Sequence, residues 1–245
     1  MAKSVGLNLS LTEAGDEGDS GKIKDFCRDF MAKKYSILFD LDGTLWDALS
    51  PITLAWNEAM KEKNIPIVFS EKKMKSFMGL TPEETCPLAF PDYSFEQQMA
   101  LFKACIASEI AYLSKHPGVL YPKEKEILGL LAKTYTLYIV SNSDKGYVEN
   151  YLTACRVGPF FSGHVCAGDT GLAKWANIRY LIEKEKMDQA LYIGDTLKDK
   201  NETEKAGIPF VHAAYGFGVI PNCPNHIERL EDLPKEAARI FEIQN

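Results

Sequence analysis

Four short apolar runs constrain this chain more than any other feature: "SILFDL" (36–41), "TLYIV" (136–140), "ALYIG" (190–194) and "IPFVHAA" (208–214). Each is compact, rich in β-branched and aromatic residues, and lacks the alternation of a half-exposed strand. Such runs suit strands buried on both faces. A weaker run, "GHVCAG" (163–168), reads as a fifth. Between them lie helical patterns, "PKEKEILGLLAKT" (122–134), "KWANIRYLIEKEK" (174–186) and "KDKNETEKAG" (198–207), the last stopped by Gly207. Strand and helix in alternation predict an α/β fold built on a doubly wound parallel sheet. Ligands of such sheets gather outside the carboxyl ends of the strands.

The alternation breaks between about residues 50 and 116. Ser50-Pro51, Ser70, the capping box Thr81-Pro82-Glu83-Glu84, and Ser94 with Gln97 mark four helix starts, with no strand among them. An all-helical cap inserted over 50–116 is expected, with a core domain over 31–49 and 117–245. Trp56, Met60, Phe102 and Ile106 form an apolar stripe that suits the cap's own small core. Ahead of the first strand, "TEAGDEGDSGK" (12–22) has one apolar residue, Ala14, and too little to bury to repay ordering. Residues 1–30 therefore read as a tail or extension, and Met31 as a natural chain start.

Composition excludes several classes. At 245 residues the chain can hold one sizeable core plus an insert, and 46% hydrophobic with 25% charged residues is an ordinary soluble globular balance. A formal net charge of −6 gives no electrostatic footprint for nucleic acid or an anionic membrane. No apolar run is long enough to span a bilayer, and no cationic flank precedes an apolar leader core. A cytoplasmic location is expected. The six cysteines, Cys27, Cys86, Cys105, Cys155, Cys166 and Cys223, show no C-x-x-C pair and read as buried reduced thiols.

The chemistry gathers where the strands end. Asp40, Asp42 and Thr44 follow the first strand, Ser141 and Asn142 the second. Lys174 heads the helix after "CAGDTGLA", and Asp195 and Asp199 follow the fourth strand. Carboxylates brought together there would repel one another, so a divalent cation is the economical partner. Hard oxygen ligands suit Mg²⁺ better than zinc. Hydroxyls, backbone N–H groups and a lysine facing the same point would hold a phosphoryl group. Lys198 and Lys200 compete with Lys174 as bland surface lysines.

These motifs, "DLDGT", Ser141, Lys174 and "GDTLKD", in that order, resemble the four motifs of the haloacid dehalogenase-like superfamily of phosphohydrolases over nearly all of the chain from residue 35. The family often follows its lysine with proline, where this chain has Trp175. The resemblance implies a Rossmann-like sheet of order 5-4-1-2-3 with a helical cap between the first and second motifs. It implies that Asp40 attacks phosphorus to give an aspartyl-phosphate, while Asp42 protonates the leaving oxygen and then activates water. Thr44, Ser141, Asn142 and Lys174 would hold the phosphate. Mg²⁺ would be held by Asp40, the backbone carbonyl of Asp42 and Asp195, with Asp199 as ligand or support. The second acid, Asp42, excludes the dehalogenase branch.

The expected function is hydrolysis of a small phosphomonoester, similar to phosphoglycolate or nucleoside monophosphate phosphatases, by a monomer or homodimer acting on a small phosphorylated metabolite. The cap loop "FMGLTPEET" has Gly79 but no Arg or Lys immediately after it, which disfavours a phosphosugar mutase. A phosphonoacetaldehyde hydrolase would need one of Lys61, Lys63, Lys72, Lys73 or Lys75 for a Schiff base. A non-catalytic phosphate-binding module would have no need of Asp40, Asp42, Lys174 and Asp195 together.

Overall fold

The structure is a computed structural model and describes residues 34–243. The tail expected over residues 1–30, with Cys27, lies outside the described residues. The chain enters as β1 (Tyr35–Phe39), turns into the two-residue β2 (Trp46–Asp47) and passes through α1 (Leu49–Glu62), α2 (Glu71–Lys75), α3 (Pro82–Ala89) and α4 (Phe95–Leu113). It returns as β3 (Val119–Leu120), then runs α5 (Glu124–Leu131), β4 (Thr136–Ser141), α6 (Tyr147–Ala154), β5 (Phe161–Cys166), the single turn α7 (Ala167–Thr170) and α8 (Lys174–Glu185). β6 (Gln189–Gly194), α9 (Leu197–Ala206), β7 (Phe210–Ala213), β8 (His226–Ile227) and α10 (Leu233–Ile243) complete it.

The main sheet has the order β5-β4-β1-β6-β7-β8, and every pairing in it is parallel. Its five longer strands, counted in chain order, run 5-4-1-2-3; β8 adds a short edge absent from the sequence expectation. β1 is buried at all five positions, with Leu38 in register with Tyr138 on one side and Tyr192 on the other. Burying each such side chain contributes about 1.5–3 kcal/mol. β1 ends at Phe39, earlier than the run 36–41 suggests. The amide of Asp40 makes a last ladder bond to the Ile193 carbonyl (2.8 Å), and the Leu41 carbonyl then accepts from Thr44, Leu45 and Trp46. That tight turn stops the strand and carries Asp42 out of it.

The helical insertion starts one residue before the expected cap. Ser50 lies inside α1, whose first amide, Leu49 N–H, donates to Asp47 Oδ1 (2.9 Å). Ser70 and Ser94 do cap their helices, accepting from Lys73 N–H (3.2 Å) and Gln97 N–H (3.4 Å), and Glu84 accepts from Thr81 N–H (2.7 Å). The rings of Phe69, Phe77, Phe90 and Phe102 surround Trp56 at centroid distances of 5.5–6.5 Å. Ile106 is only partly buried.

β2 and β3 form an antiparallel pair, Trp46 opposite Leu120 and Asp47 opposite Val119. The chain therefore leaves the sheet and comes back through one two-stranded ribbon. Gly118 permits its tightness: a Cβ there would come within 2.9 Å of the Asp47 carbonyl oxygen and the Trp46 ring. Five cysteines, Cys86, Cys105, Cys155, Cys166 and Cys223, are free and buried. Among the described residues, no helix is long and apolar enough to cross a membrane.

Candidate active site

The strand order reverses about β1, and the expected acids converge at its carboxyl end. Asp40 follows β1 directly and is 5% exposed. Lys174, the first residue of α8, reaches it from across the sheet: its Nζ donates to Asp40 Oδ1 at 2.8 Å and to Asp199 Oδ1 at 2.6 Å. Burial opposes the lysine's charge, but Asp199 and Asp40 outweigh it and hold the ammonium well above its ordinary range. Lys198 and Lys200 are partly exposed and pair with Glu84 and Glu204.

Asp199 serves two neighbours with its two oxygens. Oδ1 takes the lysine, while Oδ2 accepts from Thr196 N–H (3.0 Å) and Thr196 Oγ1 (2.5 Å) in the capping box that opens α9. Asp195, one residue past β6, is fully buried. Its Oδ2 accepts from Phe217 N–H (2.6 Å) and Gly218 N–H (3.3 Å), and Oδ1 has no hydrogen-bond partner among the described residues. One carboxylate oxygen from each of Asp40, Asp195 and Asp199 lies within 4.8 Å of the others. Burial, then Asp199, pushes Asp40 up to about 7 against the pull of Lys174. Burial, Asp199 and Asp40 push Asp195 well up as well.

Besides burial, the excess of negative charge that three ionised acids would leave over one ammonium pushes Asp40 and Asp195 up, and an unpartnered buried carboxylate oxygen is costly. Hard oxygen donors in that number fit a divalent cation.

Asp42 is held differently. Gly43, at φ 78°, turns the chain where a side chain would strike the Asp195 carboxylate. Asp42 Oδ1 then accepts from Trp46 Nε1 (2.9 Å) and Tyr147 Oη (2.6 Å). Oδ2 has no partner among the described residues. Burial lifts this carboxyl to about 6, opposed by the Tyr147 and Trp46 bonds.

A cavity of about 100 Å³ lies between these groups and the helical insertion, lined by Asp40, Asp42, Ser141, Asn142 and Lys174 among others. Thr44, Asp195 and Asp199 are buried but do not line it. Thr44 Oγ1 has no partner among the described residues, and the Thr44 carbonyl accepts from Tyr215 Oη (2.8 Å). Ser141 Oγ accepts from Ser143 N–H (3.1 Å). Asn142 Nδ2 donates to the carbonyl of Gly79 in the insertion (3.0 Å), and Lys198 pairs with Glu84 on α3.

The family model described as haloacid dehalogenase-like hydrolase matches residues 37–213, which carry Asp40, Asp42, Thr44, Ser141, Asn142, Lys174, Asp195 and Asp199. The chain belongs to this family. Within the haloacid dehalogenase-like hydrolases it is similar to the phosphoglycolate phosphatase of Pseudomonas savastanoi pv. phaseolicola, 27% identical over 197 residues that cover 74% of this chain and 70% of that one. The phosphoglycolate phosphatase of Aquifex aeolicus is 26% identical, covering 74% and 85%. A crystal structure from Haemophilus somnus, described as a predicted phosphoglycolate phosphatase, superimposes with a TM-score of 0.70 at 27% identity over 82% of this chain and 96% of that one. Family and relatives mark the chain as an enzyme, a hydrolase of the phosphatase kind.

Several residues of this hydrolase's site were not singled out by the sequence. Trp46 and Tyr147 hold Asp42, and the amides of Phe217 and Gly218 hold Asp195. The glycines of "YGFG" (215–218) were the available signal, since close backbone approach calls for glycine. Glu109 was hidden in a helical stripe; it lines the cavity, 6% exposed, with its Oε2 accepting from Trp56 Nε1 at 2.5 Å.

Proposed function

We propose that this protein is a Mg²⁺-dependent phosphatase of small phosphomonoesters that works through an aspartyl-phosphate on Asp40. The observation that carries the reading is Lys174 held between Asp40 and Asp199 beside the unpartnered Oδ1 of Asp195. Asp40, Asp195 and the backbone carbonyl of Asp42 would hold the metal. Asp199 is better suited to supporting them, because both its oxygens already accept bonds. When bound, the cation neutralises phosphoryl charge and so lets one anion approach another.

The chain's own residues divide the remaining work. Ser141, Asn142, Lys174 and nearby backbone amides orient the phosphoryl group at the cavity floor, with Thr44 supporting the turn that carries the acids. An Asp40 carboxylate oxygen forms the new bond to phosphorus as the bond to the leaving oxygen breaks. Asp42, fixed through Oδ1, offers Oδ2 to the cavity, where it gives a proton to the leaving oxygen. It then takes a proton from water as that water attacks phosphorus, which releases phosphate and restores the Asp40 carboxylate. The insertion, bridged to the sheet ends by Asn142–Gly79 and Lys198–Glu84, acts as a cap that keeps bulk water out.

Lys61, Lys63, Lys72, Lys73 and Lys75 are absent from the cavity lining, where Lys174 is the one basic side chain among the described residues. That favours a phosphatase over Schiff-base chemistry. Release of p-nitrophenol from p-nitrophenyl phosphate, dependent on Mg²⁺ and abolished by chelator and by Asp40→Asn, is the expected result. Full turnover in excess chelator would sink the mechanism.

A further inference from the structure

On the cap side of the cavity the walls are apolar, formed by Ile52, Trp56, Met74, Phe77, Leu80 and Phe102. Glu109 is the one ionisable side chain that the insertion contributes to the lining among the described residues. It is not spent on structure alone. Oε2 accepts the Trp56 indole N–H, while Oε1 takes no hydrogen bond from the described residues. Burial pushes this carboxyl up to about 8, opposed by the Trp56 bond and aided by Asp42 and Asp144, so below that value Oε1 carries a proton and above it Oε1 is an acceptor only. The single lining cation, Lys174, is already bound by Asp40 and Asp199.

We infer that Glu109 reads the leaving group: the alcohol end of the substrate carries a hydroxyl or an ammonium that pairs with Glu109 Oε1, and substrates with a second anionic group are rejected once that carboxyl is ionised. This rests on the phosphatase reading and sets the substrate class apart from the phosphoglycolate of the relatives' names. A carboxylate placed beside the ionised Glu109 loses its water and finds no free cation among the described lining residues, only neutral hydroxyls and amides such as Thr85 and Asn142, apolar walls and other carboxyls. A hydroxyl or ammonium gives Oε1 its partner, and the apolar walls take the carbon chain. Sites with a buried acceptor discriminate strongly against analogues that leave it unpaired.

Four esters of similar size test this with the full chain and Mg²⁺ at pH 9, where Glu109 is ionised: 2-hydroxyethyl phosphate, phosphoethanolamine, propyl phosphate and 2-phosphoglycolate. At least one of the first two is expected to exceed both others in kcat/KM by about tenfold or more, the size of one good hydrogen bond to a charged or buried acceptor. The better of the two identifies the donor as hydroxyl or ammonium. Glu109→Gln keeps an acceptor for Trp56 and turns an amide N–H to the cavity. It should cut the donor-to-propyl ratio by about tenfold, mainly through KM, and improve 2-phosphoglycolate relative to propyl phosphate. A purely structural Glu109 would change all four esters together. Phosphoglycolate ranked first by the wild type, or unaltered ratios in the Gln variant, overturns the inference while p-nitrophenyl phosphate is still turned over. Failure on p-nitrophenyl phosphate as well overturns the phosphatase reading beneath it.

Discussion

Lys174 Nζ lies 2.8 Å from Asp40 Oδ1, although the two residues are 134 positions apart. Asp199 shares the same ammonium at 2.6 Å. Replacing Lys174 with Met leaves two buried carboxylates without their common partner, so folding stability should fall by about 3–5 kcal/mol in urea titrations. Adding Asp199→Asn should restore part of that loss, because the two changes touch one network. Strict additivity would show that the ammonium and Asp199 act independently.

The two aspartates of "DLDGT" should fail in different ways. Asp40→Asn removes the attacking oxygen, so activity should drop to background with no acid-trapped, hydroxylamine-sensitive phosphoenzyme. Asp42→Asn should release about one p-nitrophenol per enzyme in a burst and then stall, because an aryl leaving group needs little acid help but water still needs a base. Tyr147→Phe, which removes one of the two bonds to Asp42 Oδ1, should slow an alkyl phosphate about tenfold and an aryl phosphate less. Equal slowing of both esters would dissociate Tyr147 from proton transfer.

Metal binding should be visible without turnover. Mg²⁺ at a hundred times its dissociation constant stabilises a protein that binds it by about 2.7 kcal/mol, which raises the melting temperature by several degrees. Asp195→Asn should abolish most of that rise in a thermal-melt series. A full Mg²⁺ response in this variant would place the ion elsewhere.

Glu124, far from the strand-end acids in the chain, should impose a pH effect on stability. It is 1% exposed, with Tyr151 Oη donating to Oε1 at 2.6 Å and Oε2 unpartnered. Burial raises it from the ordinary 4.5 to about 8 against Tyr151, the Tyr121 backbone bond and Lys125. The folded state thus holds a proton that the unfolded chain has released between those values, and stability falls as pH rises through that window. Glu124→Gln should flatten this slope and be the more stable form at pH 8 by chemical denaturation. Parallel curves for the two proteins would exclude Glu124 as the source.

The sheet and the ends of its strands were legible because both leave local marks. A strand buried on both faces must be apolar throughout, and acids such as Asp40 and Asp195 stand out against such runs. Lys174 was legible only through the order of the motifs, since a helix-leading lysine resembles any solvated one. The supporting hydrogen bonds were not legible. Tyr147 meets Asp42 across 105 positions and Glu109 meets Trp56 across 53, and no local pattern encodes a pairing that folding alone creates. The start of α1 was misplaced for a related reason. Ser50-Pro51 fits a helix opening, but Asp47 on the preceding strand already holds the first amide.

The β2–β3 ribbon joins mechanics to chemistry. Both crossings between sheet and insertion are paired in it, so any swing of the insertion would turn about a single pivot without shearing one connection past the other. Trp46 belongs to that pivot and also donates its indole N–H to Asp42. Under the proposed mechanism, rotation of the insertion about the ribbon would be transmitted to Asp42, the proposed proton carrier, and the posture in which the insertion rests on the site would be the one in which that carboxylate is held by Trp46.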